Sequence, residues 1–63
     1  MKQSIITQRR EALGLTVDEL AFLCCVTPRT VKTWERSGVG NARLKHLLLL
    51  GHVLGVSLED LLK

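Results

Sequence analysis

The feature that most constrains the fold of this chain is a pair of helix starts, Thr16 and Thr27, with ten residues between them. Glu19 follows Thr16 by three residues, and this T-x-x-E spacing is typical of a capping box, in which two backbone N–H groups are satisfied reciprocally. Pro28 follows Thr27 and fits the first helical position, where its missing N–H has no intrahelical partner to lose. The spacing therefore predicts two short helices joined by a tight turn.

Two longer helices flank this pair. Residues 3–13 have apolar residues at 3.6-type spacing, and Gly14 is a good C-terminal stop. A second stretch, from about 42 to 54, predicts another helix, with Asn41 as its N-cap and Gly55 as its stop. Both stretches are long enough to form more than two helical turns.

A short fifth helix is predicted after Ser57, which Asp60 follows in an S-x-x-D pattern. Apolar–polar alternation and the Asn-Gly or Asp-Gly turns of hairpins are absent, so we expect no strand. The sequence therefore predicts an all-α protein, a compact domain of five helices that occupies residues 1–63 as a single unit.

Helical periodicity also predicts which side chains form the core. The second, third and fourth helices each present one apolar face. These faces comprise Val17, Leu20, Ala21 and Cys24; Val26, Val31 and Trp34; and Leu47, Leu50, Gly51 and Leu54.

Several functional classes are excluded by composition. Cys24 and Cys25 are adjacent, which disfavours a disulfide, and nothing completes a zinc set, so both are interpreted as small buried groups in a reducing compartment. The longest apolar run is too short to cross a membrane, and no signal peptide is present. No acid–base pair accompanies a nucleophile. We expect a soluble, cytoplasmic protein that is not an enzyme and has no metal, cofactor or small-molecule ligand.

Positive charge is concentrated in one part of the chain. Residues 27–45 contain five basic residues and one acid, a net +4, whereas the remaining residues carry four basic residues and five acids, a net −1. A basic segment of this kind indicates a polyanionic partner. The alternative, a solvated helix face without a partner, is not excluded by charge alone.

An ordered set of short motifs runs through nearly the whole chain. The set comprises Arg10-Glu11, Gly14-Leu15-Thr16, Glu19-Leu20-Ala21, Val26-Thr27, Thr30-Val31, Trp34-Glu35, Gly38, Leu54-Gly55-Val56-Ser57-Leu58 and Leu61-Leu62. Each motif is weak alone, but together they resemble the phage Cro/repressor-like (XRE-type) helix–turn–helix family. The resemblance implies a lambda-repressor-like fold, a helix–turn–helix at about residues 16–37, double-stranded DNA as partner, and a phage or prophage origin.

The resemblance also implies roles for individual residues. Arg29, Thr30 and Thr33 become the base-contacting positions, and Arg29 is suited to the O6 and N7 atoms of a guanine. A paired charge, Arg10 with Glu35, links the first and third helices. The implied phosphate contacts are Thr16, Val17, Thr27, Lys32, Arg36, Arg43 and Lys45.

Three positions depart from the family pattern. Val17 stands where a glutamine is common, so a side-chain phosphate contact is lost there. Thr27-Pro28 replaces the usual polar pair, which narrows the expected base recognition to Arg29 and Thr33. Cys25 stands where glycine is usual, so a positive φ at this residue would be mildly strained.

The fourth helix has more apolar residues than one inward face needs. On a small protein, such a surplus more often marks an interface than a solvated surface. We therefore expect a homodimer that places two third helices about 34 Å apart on a palindromic operator. The predicted contacts are Leu48, Leu49, Val53, Leu58 and Leu62.

The first functional hypothesis is a sequence-specific transcriptional regulator, a repressor that acts by occupying its operator, with no second domain for ligand sensing. The alternative is an antitoxin or antirepressor that binds a protein through Phe22, Leu23 or the fourth helix. Phe22 lies on the outer side of the second helix, where a partly covered surface aromatic is the simpler interpretation. His46 and His52 are interpreted as surface residues.

Overall fold

The computed structural model describes residues 4–62, which form five helices and, over that range, no strand. The all-α prediction is therefore confirmed. The first helix was predicted from Gln3, which lies outside the described residues. The helices are α1 (Ile5–Ala12), α2 (Val17–Leu23), α3 (Pro28–Ser37), α4 (Leu44–Leu54) and α5 (Leu58–Leu62).

The predicted helix caps of α2, α3 and α5 are confirmed. The Thr16 hydroxyl accepts from the N–H of Glu19, whose carboxylate accepts from the N–H of Thr16 at 2.8 Å. The Thr27 hydroxyl accepts from the Thr30 N–H at the start of α3, and the Ser57 hydroxyl accepts from the N–H three residues later. Each cap satisfies N–H groups that a helix start leaves without partners.

The predicted start of α4 is wrong. Asn41 is not its N-cap; α4 begins at Leu44, Arg43 holds the N-cap position, and no side chain caps the helix. The Ala42 N–H donates instead to the Val39 carbonyl in a turn, at 3.0 Å. Val39 was predicted to lie in a loop, and its side chain is buried. This burial holds the turn in place, so that α4 begins later in the chain than predicted.

The core contains the inward faces predicted for α2, α3 and α4. α2 and α3 pack on each other, α4 contacts α2 and α5, and α1 contacts α3, α4 and α5. Val17 and Val26 are partly buried at the edge of this core. The buried apolar residues are Ile6, Leu20, Ala21, Cys24, Val31, Trp34, Val39, Leu47, Leu50, Leu54 and Leu61; Gly51 is buried with them.

The turn between α2 and α3 separates the two cysteines. Cys24 is buried, as predicted, but Cys25 is exposed, so the interpretation of Cys25 as a buried group is wrong. Cys25 has the expected positive φ, 59°, and this left-handed conformation ends the helix before a second thiol reaches the core. Burial raises the pKa of the Cys24 thiol, and the neighbouring Cys25 raises it further.

Replacing Cys25 with glycine is expected to stabilise the protein by roughly 0.5–1 kcal/mol. Relief of the left-handed strain gains about 1–2 kcal/mol, and the extra freedom of glycine in the unfolded chain offsets about half of it. Thermal unfolding followed by circular dichroism measures the change. Cys24→Gly is the matched control: it empties a buried position whose φ is −96° and should lower the midpoint. A lower midpoint of thermal unfolding for Cys25→Gly than for the wild type contradicts backbone strain at Cys25.

Candidate nucleic-acid interface

The outer face of α3 is polar and basic. Arg29, Lys32, Thr33 and Arg36 are exposed, while Val31 and Trp34 lie in the core. Thr27, with its cap hydroxyl, is exposed at the start of the helix. This distribution gives α3 one stripe that anchors the helix and one that presents guanidinium, ammonium and hydroxyl groups to solvent.

The acidic residue of α3, Glu35, is turned away from that outer face. Its carboxylate accepts from Arg10 Nε at 2.8 Å and from the Thr7 hydroxyl at 2.7 Å, both on α1. The Arg10 and Glu35 side chains are only 14% and 15% exposed. The negative charge is therefore neutralised inside the protein, and the outward charges of α3 are all positive.

Arg10 also fixes the start of α2. Its Nη1 donates to the Leu15 carbonyl at 2.8 Å, immediately before the Thr16 cap. One guanidinium thus joins α1, the entry to α2 and, through Glu35, α3. The Arg10–Glu35 pair was predicted from the family resemblance. The contact of Thr7 with Glu35 was missed because no sequence pattern links residues 28 apart. The contact of Arg10 with the Leu15 carbonyl spans only five residues and was also missed.

The threonines of α3 have part of their hydrogen-bonding capacity in use. The Thr33 hydroxyl donates to the Arg29 carbonyl at 3.0 Å, so that its oxygen remains only an acceptor. The Thr27 and Thr30 hydroxyls form a hydrogen bond of 3.0 Å with each other, and Thr30 is half-buried. Arg29 is thus the base-contact candidate that is both exposed and a strong donor.

A polar groove of about 290 Å³ lies beside α3 and was not predicted. It runs between α3 and the loop before α4, and the exposed Arg43 and Lys45 follow this loop. The signal available in sequence was the Gly-rich loop itself. The lining residues are Thr30, Thr33, Trp34, Ser37, Gly38, Gly40, Asn41 and Ala42.

The residues predicted for a dimer contact differ in exposure. Leu48 and Leu62 are exposed by 54% and 62%, and Leu49 is also exposed. Val53 and Leu58 are partly buried against the core. Leu44, one turn before Leu48 on α4, is 64% exposed and was missed, although it lay within the predicted helix and four residues before Leu48.

Three aromatic side chains were assigned to the surface. Phe22 is 82% exposed, so the simpler interpretation, a partly covered ring, is wrong. His52 is exposed as predicted, whereas His46 is half-buried and its ring centroid lies 6.4 Å from that of Trp34. Within residues 4–62, no group of three metal-ligating side chains is present, and no helix is long and apolar enough to cross a membrane.

Comparison with known proteins gives one family and one group of structures. The sequence profile of the helix–turn–helix family matches residues 6–61. The comparison with curated protein sequences found no match.

Among solved structures, the chain is similar to part of an enzyme. The hydroxypropylphosphonic acid epoxidase from S. wedmorenis matches with a TM-score of 0.80 and 36% identity, over 94% of this chain and 31% of the enzyme chain. The same epoxidase in complex with fosfomycin matches with a TM-score of 0.79 and 32% identity, over 100% of this chain and 36% of the other. The chain therefore spans about a third of the length of these epoxidase chains.

Proposed function

The chain belongs to the XRE-type helix–turn–helix family of DNA-binding transcription regulators, and we propose that it is a repressor that binds a palindromic operator as a homodimer. This family is regulatory rather than enzymatic. The observation that carries the proposal is the inward turn of Glu35 onto Arg10, which leaves only positive charges on the outer face of α3. A helix with such a face is suited to the major groove, between two rows of phosphates.

Base recognition is assigned to Arg29, Thr30 and Thr33. Arg29 is exposed in the first turn of α3, where the residues of a recognition helix approach base edges. Its guanidinium can donate to both acceptors of a guanine. Thr33 offers an acceptor oxygen and a methyl group, which suits a cytosine amino group or a thymine methyl.

Phosphate contacts are assigned to groups at the two edges of this face. Lys32 and Arg36 flank the base-contacting stripe of α3, and Arg43 and Lys45 are exposed beyond the polar groove. Such charges hold the helix in register without reading the sequence. At the other edge, the proposed phosphate contacts are made by Thr27, Thr16 and Val17. The Thr16 N–H already donates to the Glu19 carboxylate, so the hydroxyl of Thr16 is the donor that this residue has left for a phosphate.

The homodimer is assigned to the outer side of α4 and to α5. Leu48, Leu49 and Leu62 are exposed there, and Leu44 extends the apolar surface by one turn. Val53 and Leu58 border it. Two-fold symmetry would bring the same patch of each subunit together and so bury these leucines in pairs.

Selection of bound duplexes from random DNA tests the function. We expect an enriched palindrome whose half-sites are separated by about one helical turn. Binding of the selected duplex should fall steeply with salt, because phosphate contacts release counterions. Enrichment of no sequence, or of an asymmetric half-site alone, contradicts the proposed repressor.

Replacing Leu48 with serine is expected to shift the dimer toward monomer by about tenfold in dissociation constant, since two copies of the side chain leave the interface. Sedimentation velocity over a range of concentrations measures the shift. The matched control is Phe22→Ser, which removes an exposed apolar side chain from α2 and should leave self-association unchanged. A wild-type chain that stays monomeric at high micromolar concentration contradicts the dimer.

A further inference from the structure

The outer side of α2 carries an apolar groove that the DNA-binding function does not use. Its volume is about 330 Å³, and its lining residues are Leu15, Asp18, Glu19, Phe22 and Leu23. Phe22 and Leu23 expose 82% and 44% of their surface, although α2 already buries Leu20 and Ala21 on its inner side. None of the five residues belongs to α3, so the groove is separate from the basic outer face.

The charge of this groove is opposite in sign to that of α3. Asp18 and Glu19 both lie in the first turn of α2, and α2 contains no basic residue. The Glu19 carboxylate is held in place by the Thr16 N–H at 2.8 Å, which keeps an acidic group beside the groove. Phe22 is therefore an exposed aromatic side chain next to two carboxylates.

We propose that this groove is the docking site for a second protein, which inserts a basic amphipathic segment. An apolar side chain of the segment packs on Phe22 and Leu23, and its Lys or Arg residues pair with Asp18 and Glu19. Burial of an exposed aromatic supplies the affinity, and the carboxylates select the sign of the partner. The inference goes beyond the proposed repressor, which needs no protein other than its own copy.

Charge also argues against the other occupants of the groove. A phosphate or an anionic lipid headgroup seated in the groove itself would be repelled by the carboxylates of Asp18 and Glu19, which line it. A two-fold contact between two copies through this groove would bring two pairs of carboxylates together, which like-charge repulsion opposes. A basic protein segment is the occupant that satisfies both the apolar surface and the acids.

Selection from a displayed library of random peptides tests the site with the intact chain as bait. The enriched peptides are synthesised with a fluorescent label for anisotropy titration against the wild type and the variants. We expect sequences that combine Lys or Arg with a large apolar residue. Phe22→Ser should weaken them at least about tenfold, as loss of an aromatic anchor does. Asp18→Asn should weaken them about threefold at low salt and less at high salt.

The controls separate docking from folding and from dimer formation. Leu48→Ser removes an exposed leucine from α4 and should leave peptide affinity unchanged. Circular dichroism should show that Phe22→Ser and Asp18→Asn unfold like the wild type, since both side chains are exposed. The proposal is overturned if no peptide discriminates wild type from Phe22→Ser, or if the selected peptides lack basic residues and ignore Asp18→Asn. Loss of self-association in Phe22→Ser also overturns it, because the groove would then belong to an interface between copies.

Discussion

Replacing Arg29 with alanine is expected to weaken binding to the selected operator by roughly 5- to 150-fold for each half-site, since each subunit of the dimer loses one bidentate contact with a guanine. The prediction rests on the exposure of Arg29 in the first turn of α3. The same variant should relax the base preference at one position of each half-site. Quantitative gel-shift titration against the operator and its single-base variants measures both effects.

Lys32→Ala is the matched control for that experiment. Lys32 lies on the same exposed face, but its proposed contact is a phosphate. Its loss should weaken binding to all sequences alike and lower the salt dependence by about one counterion for each subunit. If Arg29→Ala also weakens all duplexes equally, the assignment of Arg29 to a base is wrong.

Replacing Arg10 with methionine is expected to lower the free energy of unfolding by about 3 kcal/mol, the low end for breaking a buried ion pair. The variant leaves the Glu35 carboxylate with only the Thr7 hydroxyl, and the Leu15 carbonyl loses its donor. A chain of this size is stable by roughly 3–9 kcal/mol, so the loss is a large fraction of the total. Thermal unfolding should show a midpoint temperature lower by at least about 10 °C, and urea unfolding a correspondingly lower midpoint concentration.

The double variant Arg10→Met with Glu35→Leu tests whether the loss of stability comes from leaving the Glu35 carboxylate unpaired. If the cost comes from an unpaired carboxylate, removal of Glu35 should restore part of the stability. No recovery in the double variant, or a loss below about 1 kcal/mol in Arg10→Met alone, contradicts a stabilising pair at this site.

Arg10→Met should also reduce DNA affinity where the protein remains folded, because Glu35 is then free to turn toward the outer face of α3.

These two predictions concern one arrangement. Arg29, Lys32 and Arg36 supply the positive charge on the outer face of α3, and a Glu35 side chain that pointed outward would cancel part of it. Arg10 sets that direction and at the same time holds the start of α2 through Leu15. The contact that stabilises the fold is therefore also the contact that keeps a carboxylate off the DNA-facing surface.

The α2 groove shows a second division of roles. α2 supports the DNA-facing helix with its inner side, through Leu20 and Ala21, and presents Phe22 on its outer side. If a basic protein segment docks there, one short helix connects DNA binding to a protein partner. The separate positions of Phe22 and Arg29 allow the two activities to be removed one at a time.

Local sequence determined the helices and most of their ends. The caps at Thr16, Thr27 and Ser57 and the stop at Gly55 depend on groups within five residues of one another, so that their patterns are legible in the chain. The inward faces of α2, α3 and α4 follow likewise from helical periodicity. The family resemblance added the Arg10–Glu35 pair, which no local pattern gives.

Only the tertiary structure decided what depends on distant parts of the chain. Thr7 meets Glu35, and Arg9 Nε donates to the Leu54 carbonyl, across 28 and 45 residues. Val39 is drawn into the core and so moves the start of α4 from the position predicted at Asn41. Cys25 is left outside because Cys24, Leu20 and Ala21 fill the space between α2 and its neighbours, and Phe22, which periodicity had placed on the outer side, is left almost uncovered. Helix caps depend on residues that are close together in the sequence. Burial depends on which side chains fit into one small core, and this is determined only when all five helices pack together.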